Sequence, residues 1–69
     1  MTAPKFEMLD ENEKKIVLFE AKKIAEKKED NYKIELFQVD DFFIESKTSL
    51  DSKAKRVLTT YLLNPLINM

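Results

Sequence analysis

Hydrophobic positions in the first half of the chain follow the spacing of a helix. Between residues 11 and 28 the apolar side chains recur every three or four positions, which places them on one face of a helix. That face is formed by Val17, Leu18, Ala21, Ile24 and Ala25. Asp10 and Glu13 have the spacing of a capping box, in which each side chain bonds the other residue's backbone N–H. The pattern therefore predicts a helix from Glu11 to about Lys28.

Two large apolar residues of this predicted helix lie away from its apolar face. Ile16 and Phe19 project from the opposite side, among lysines and glutamates. A single exposed apolar side chain is ordinary, but a second apolar face points to a contact with another molecule. We therefore expect Ile16 and Phe19 to belong to a protein interface.

The middle of the chain changes to β-branched and aromatic residues. Two such runs, 32–39 and 42–48, are separated by the polar pair Asp40-Asp41, which predicts a β-hairpin with a two-residue turn. Pairing across that turn gives two faces, Phe37, Val39, Phe42 and Ile44 on one and Ile34, Leu36 and Phe43 on the other. Asp-Asp is a weaker turn signal than Asn-Gly. The alternative is that Asp40 caps a short helix running through residues 43–46.

The last third of the chain returns to helical spacing. Apolar side chains form one stripe, made of Leu50, Ala54, Val57, Leu58, Tyr61 and Leu62. Thr48 or Ser49 is placed to cap a helix, and Pro65 is placed to end it. The tail after Pro65 is apolar, so we expect it to pack against the rest of the chain.

Together these elements predict a helix–β-hairpin–helix (αββα) fold of the α+β class. Residues 10–69 form the single small domain, and residues 1–9 are expected to be a flexible lead-in because Pro4 discourages an early helix. An all-α three-helix fold is the alternative. A lone hairpin is marginally stable in water, so we expect two copies to dimerise through their hairpins.

Composition removes most kinds of active site. The chain of 69 residues has no cysteine, histidine or glycine. Disulfides, thiolate metal sites, the commonest general base and the glycine-rich phosphate loops are therefore excluded. The carboxylates of Asp40, Asp41 and Glu45 are close in sequence, but aspartates are typical of solvated turns. We expect a protein without enzymatic activity, cofactor or bound metal.

Charge and hydropathy set expectations for partners and location. Twelve basic and thirteen acidic residues nearly cancel, whereas nucleic-acid-binding proteins usually carry a basic excess. The longest apolar run has four residues, from Ile16 to Phe19, which is far too short to span a membrane. No secretory signal pattern is visible at the N-terminus. These observations favour a cytoplasmic protein that binds neither membrane nor nucleic acid.

The preferred function is a small protein-interaction module that self-associates and regulates or inhibits a larger protein. A small domain without disulfides or metal usually gains stability from a partner chain. The residues expected at the interface are apolar side chains left over by the predicted core: Ile16, Phe19, Ile34, Leu36, Phe43, Leu63, Leu66 and Ile67. The alternative is a small nucleic-acid-binding regulator. It uses a basic face at the start of the last helix, formed by Lys47, Lys53, Lys55 and Arg56.

Overall fold

Four antiparallel strands in chain order, covered by two short helices, make up the fold. The computed structural model describes residues 1–51 and 53–65. The elements are α1 (Ala3–Glu7), α2 (Glu11–Glu20), β1 (Lys22–Glu29), β2 (Tyr32–Val39), β3 (Phe42–Ser49) and β4 (Arg56–Tyr61). The strands lie in the order β1-β2-β3-β4, and each pairs with its neighbour in sequence. Neither helix of the described residues is long and apolar enough to cross a membrane.

The predicted central hairpin is confirmed. Val39 pairs directly with Phe42 across the turn Asp40-Asp41, so the alternative short helix over residues 40–46 is wrong. The first turn residue, Asp40, has a φ of 50°, and Asp30 in the equivalent turn between β1 and β2 has a φ of 54°. Aspartate tolerates this left-handed conformation better than most residues, which allows tight turns in a chain without glycine.

The first part of the predicted N-terminal helix is confirmed, and its second part is wrong. The capping box at Asp10 and Glu13 is present, with Glu13 N–H donating to Asp10 Oδ1 at 2.8 Å. The helix ends at Glu20, however, and the segment predicted to continue it is strand β1. Helix propensity is a weak preference of a few tenths of a kcal/mol per residue. Pairing of seven of the eight residues of β1 with β2 outweighs that preference.

The prediction of a final helix is wrong. Residues 56–61 form strand β4, which pairs with β3 from Arg56 opposite Thr48 to Tyr61 opposite Phe43. Their sequence, Arg-Val-Leu-Thr-Thr-Tyr, is rich in the β-branched and aromatic residues that suit a strand. The helical spacing of Val57, Leu58 and Tyr61 was therefore the weaker of two signals in the same segment.

These corrections replace the helix–β-hairpin–helix fold, and the three-helix alternative, with a four-stranded antiparallel sheet and two N-terminal helices. The α+β class still describes the chain, because helix and sheet are both present. The predicted hairpin lies in the middle of the sheet, where β1 and β4 occupy its two edges. Both edges of the hairpin are therefore already paired within the chain, so two copies do not join their hairpins edge to edge as expected.

The core lies between the two helices and one face of the sheet. Phe37, Phe42 and Ile44 point toward the helices, where they meet Phe6 and Leu18 in one buried cluster. Residues 1–9, expected to be a flexible lead-in, include α1, whose Phe6 is only 1% exposed. Pro4 lies in the first turn of α1, where its missing N–H costs no hydrogen bond.

The opposite face of the sheet, which we call the open face, has neither helix of the described residues over it. Its apolar centre is formed by Ala25, Ile34 and Leu36, and Pro65 lines the same depression. The chain after β4 thus crosses this face, and Leu36 is 4% exposed. The prediction that Ile34, Leu36 and Phe43 share one face of the hairpin is confirmed by the pairing register.

Candidate functional site

The two edge strands of the sheet, β1 and β4, differ in their charge and in the regularity of their pairing. Six of the eight residues in β1 are charged, and its register shifts between Lys23 and Ala25 in a β-bulge. Charged side chains and bulges are the usual means by which an edge strand resists pairing with another chain. β1 is therefore a protected edge.

Charged side chains of β1 form ion pairs with one another and with side chains of β2. Glu26 and Glu35 lie directly opposite each other on β1 and β2, and the Lys23 ammonium bridges them at 2.6 Å and 3.5 Å. The hydrogen bond between Lys23 and Glu26 raises the pKa of the lysine and lowers the pKa of the glutamate. This lysine offsets a like-charge pair that would otherwise destabilise β1.

The other edge, β4, lacks these protections. Arg56 at its start is the single charged residue among its six, and its pairing with β3 is regular throughout. The side chain of Val57 is 62% exposed, and Leu62 and Leu63 directly after the strand are 74% and 73% exposed. An edge strand with a single charge at its start and exposed apolar side chains beside it is a surface to which another strand adds readily.

The residues predicted for a protein interface are distributed over three places. Ile16 and Phe19 lie on the outer side of α2, where they are 59% and 91% exposed. Ile34, Leu36 and Phe43 belong to the open face, and Leu63 follows β4. Leu66 and Ile67 lie outside the described residues. The structure thus keeps the α2 residues separate from those on the sheet.

The residues predicted for nucleic-acid binding gather at one end of the sheet, around the loop between β3 and β4. Lys47 lies two residues before the end of β3, with its ammonium 4.4 Å from the centre of the Tyr32 ring. Lys53 and Lys55 are exposed on the loop itself. Arg56 begins β4 and donates a hydrogen bond from Nε to the hydroxyl of Ser46. We call this region the basic end.

No metal centre is formed by the described residues, among which no group of three or more acidic side chains converges. Asp40 and Asp41 make the turn between β2 and β3, as the solvated-turn interpretation expects, and Asp40 pairs with the N-terminal ammonium at 2.5 Å. Glu45 lies opposite Thr59, within the sheet.

Comparison of the chain with protein-family models, with curated proteins and with solved structures found no match in any of the three. We therefore base the functional proposal on the geometry of this chain.

Sequence reasoning missed the unprotected edge strand β4 because it placed residues 56–61 in a helix. A signal for it exists in the run Val-Leu-Thr-Thr-Tyr, five uncharged residues of high strand propensity. It also missed Tyr32 and Lys33, which join the basic end because β2 begins where β3 finishes. These two residues reach the basic end only through strand pairing. The hydrophobic periodicity within one segment carries no information about which strands pair.

Proposed function

We propose that the protein is a small interaction module that self-associates by pairing β4 of one copy with β4 of a second copy. The observation that carries this proposal is the contrast between the two sheet edges. β1 is charged and bulged, whereas β4 presents a regular and almost uncharged strand. Edge-to-edge pairing would extend the four-stranded sheet into a continuous sheet of twice the size.

A twofold axis at Thr59 gives the pairing that suits the side chains best. Antiparallel strands related by this axis place Thr59 opposite its copy and Val57 opposite Tyr61 on the open face. Cross-strand pairs of an aromatic and a β-branched residue stabilise a sheet. Arg56 then lies opposite Leu62, so the two arginines are at opposite ends of the paired strands and do not repel each other.

Burial of apolar surface supplies the driving force for this contact. Val57, Leu62 and Leu63 are all more than half exposed, and each lies on or directly after the paired strand. On folding, a domain of this size buries a smaller fraction of its surface than larger domains do. Pairing with a second copy adds apolar burial that the single chain lacks.

The test replaces Thr59, which is exposed and lies at the proposed twofold axis. In Thr59→Lys two lysines face each other across the contact, and in Thr59→Glu two glutamates do so. Like charges directly opposite destabilise strand pairing. We expect light scattering on a sizing column to give a dimer for the unmodified protein, monomers for each variant alone, and a dimer again for an equimolar mixture of the two.

Gln38→Lys is the matched control, since Gln38 is exposed on the same face but lies in the interior strand β2. This variant should remain a dimer. Thermal unfolding of each variant checks that the monomers are folded, because Thr59 lies opposite Glu45 within its own sheet. The proposal is wrong if the unmodified protein is a monomer at all concentrations, or if both Thr59 variants remain dimers. Loss of the dimer in Phe19→Asp with retention in both Thr59 variants would place the contact on α2 instead.

A further inference from the structure

Basic and acidic side chains are nearly equal in number over the whole chain, but the fold places them in different regions of the surface. Two neighbouring surface depressions at the basic end, of about 820 Å³ and about 500 Å³, are lined by seven basic and three acidic side chains. The whole chain carries twelve basic and thirteen acidic residues, which leaves five basic and ten acidic side chains elsewhere. A net charge of −1 therefore conceals one end that is positive and a remainder that is negative.

The smaller depression combines cations with an aromatic ring. It is lined by Tyr32, Lys47, Lys53 and Lys55, together with Ser49, Asp51 and Val57. Tyr32 is 41% exposed, so part of its surface is open to a ligand. Within the described residues none of these three lysines forms an ion pair with a carboxylate, so their charges are available to an anion.

The larger depression lies on the helix side of the same end of the sheet. Its basic side chains are Lys14 and Lys15 from α2, Lys33 from β2, and Lys55 and Arg56 from the loop and β4. Lys55 and Val57 line both depressions. The cations therefore follow a continuous path from α2 around the end of the sheet to Tyr32.

The loop that carries Lys53 and Lys55 is held in place by several hydrogen bonds. Asp51 Oδ1 accepts from the backbone N–H groups of Lys53 at 2.9 Å and Ala54 at 3.3 Å. Ser49 N–H donates to the carbonyl of Lys55 at 2.8 Å, and Leu50 N–H donates to the carbonyl of Asn31 at 2.7 Å. The last bond ties the loop to the turn beside Tyr32, so the backbone that carries the two lysines is held close to this residue.

We propose that the basic end binds single-stranded nucleic acid. Lysines spread along a path contact successive phosphates, and an exposed aromatic ring gives a base a surface on which to stack. The path bends around the end of the sheet, from its helix side to its open face. A flexible single strand follows such a bend, whereas a rigid duplex reaches cations on one side only. Arg56 and Val57 belong both to this site and to the proposed β4 contact. Thr59, where that contact is tested, lines neither depression, so either proposal can fail alone.

The binding experiment uses the full chain and a fluorescein-labelled oligothymidylate, with fluorescence anisotropy as the measurement. With about four phosphates neutralised, the affinity should fall by a factor of about 50 between about 50 mM and about 200 mM salt. Lys53→Ala combined with Lys55→Ala should weaken binding at least tenfold and make the salt dependence shallower. Tyr32→Ser should weaken binding by about tenfold while the salt dependence stays the same, because stacking does not depend on charge.

Matched controls are available among lysines that line neither depression. Lys5 on α1 and Lys22 at the start of β1, opposite Gln38, are both exposed. Lys5→Ala combined with Lys22→Ala removes the same charge and should leave binding within twofold of the unmodified protein. Three results would overturn the proposal: no binding at about 50 mM salt, equal loss in the control pair, or equally tight binding of a duplex of the same length. Displacement of the oligonucleotide by polyglutamate at the same concentration of charge would also overturn it, since a site for acidic protein then explains the data.

Discussion

Arg56 and Ser46 are joined by a hydrogen bond of 2.5 Å from the arginine Nε to the serine hydroxyl. Ser46 has no exposed surface, and it is the one buried polar residue among those the structure describes. It lies opposite Leu58 on β4, so the arginine side chain reaches diagonally across the pair of strands. This bond gives the buried hydroxyl a partner, and it holds the Nε atom of Arg56 in place at the basic end.

The two partners of this bond should differ in what their loss costs. Arg56→Ala leaves a buried hydroxyl without its partner, which should reduce the free energy of unfolding by about 1–3 kcal/mol. Ser46→Ala leaves the partly solvated guanidinium to bond water, so we expect a smaller loss of about 0.5–1.5 kcal/mol. Urea unfolding of both single variants and the double variant measures this. If the two single losses are equal and add in the double variant, the bond does not contribute to stability.

Phe6 should be essential for folding although it lies in the first nine residues. Its ring is 1% exposed and lies 6.0 Å from the ring of Phe42, centre to centre. Phe6→Ala should cost about 3–5 kcal/mol, which is comparable with the whole stability expected of a chain this short. Circular dichroism during thermal unfolding tests this.

Met8 supplies the control for that experiment, because it lies directly after the same helix and is 85% exposed. Met8→Ala should change stability by less than about 0.5 kcal/mol. Phe6→Leu provides a graded variant if Phe6→Ala does not fold. A Phe6→Ala protein as stable as the unmodified chain would show that α1 is not part of the core.

Ala54 should be a place where glycine stabilises the protein. Its φ is 46°, a left-handed conformation that costs a residue with a β-carbon about 1–2 kcal/mol. Glycine removes this cost, but ordering its more flexible backbone on folding costs about 0.5–1 kcal/mol in entropy. Ala54→Gly should therefore raise the free energy of unfolding by about 0.5–1 kcal/mol. The same substitution at Ala25, in strand β1, should lower it, and a loss of stability at both positions would contradict the explanation.

Asp51 should make the basic end sensitive to acid. Hydrogen bonds from backbone N–H groups hold the pKa of the Asp51 carboxyl below its ordinary value of 3.8, and the N–H of Lys53 makes the largest contribution. A lowered pKa in the folded state contributes stability above the ordinary value, and this contribution disappears as the pH falls through the lowered pKa. We expect an NMR titration of the Asp51 carboxyl to give a midpoint below 3.8. In Asp51→Ala the unfolding temperature should fall less steeply below about pH 4, and identical pH profiles would contradict this.

Local signals in the sequence were sufficient for two features of the fold. The capping box at Asp10 and Glu13 is a contact between residues three positions apart, so it can be read without knowing the rest of the structure. The hairpin around Asp40-Asp41 is similar, because strands joined by a two-residue turn have their register fixed by that turn. Its two faces, one of them buried against the helices, followed directly.

Candidate surfaces were predicted less completely than the hairpin. Exposure of Ile16 and Phe19 on α2 agrees with their place outside the predicted apolar face. The grouping of Lys47, Lys53, Lys55 and Arg56 was expected on a helix, and the structure instead places these residues around a loop between two strands. The cations of α2 and Lys33 were missed because they are distant in sequence and come together only through the packing of helices on the sheet.

By itself the sequence determined the start of α2, the central hairpin with its two faces, and the exclusion of disulfides and glycine-rich loops. Only the tertiary structure decided that residues 22–29 and 56–61 are strands. Each segment has apolar residues compatible with a helix, and its local preference is worth little per residue. The central hairpin leaves rows of unpaired backbone N–H and C=O groups on both sides, and satisfying them with β1 and β4 contributes more than those preferences. The same pairing creates the nearly uncharged edge at β4 and gathers the lysines at one end, so the proposed functional surfaces exist only in the folded chain.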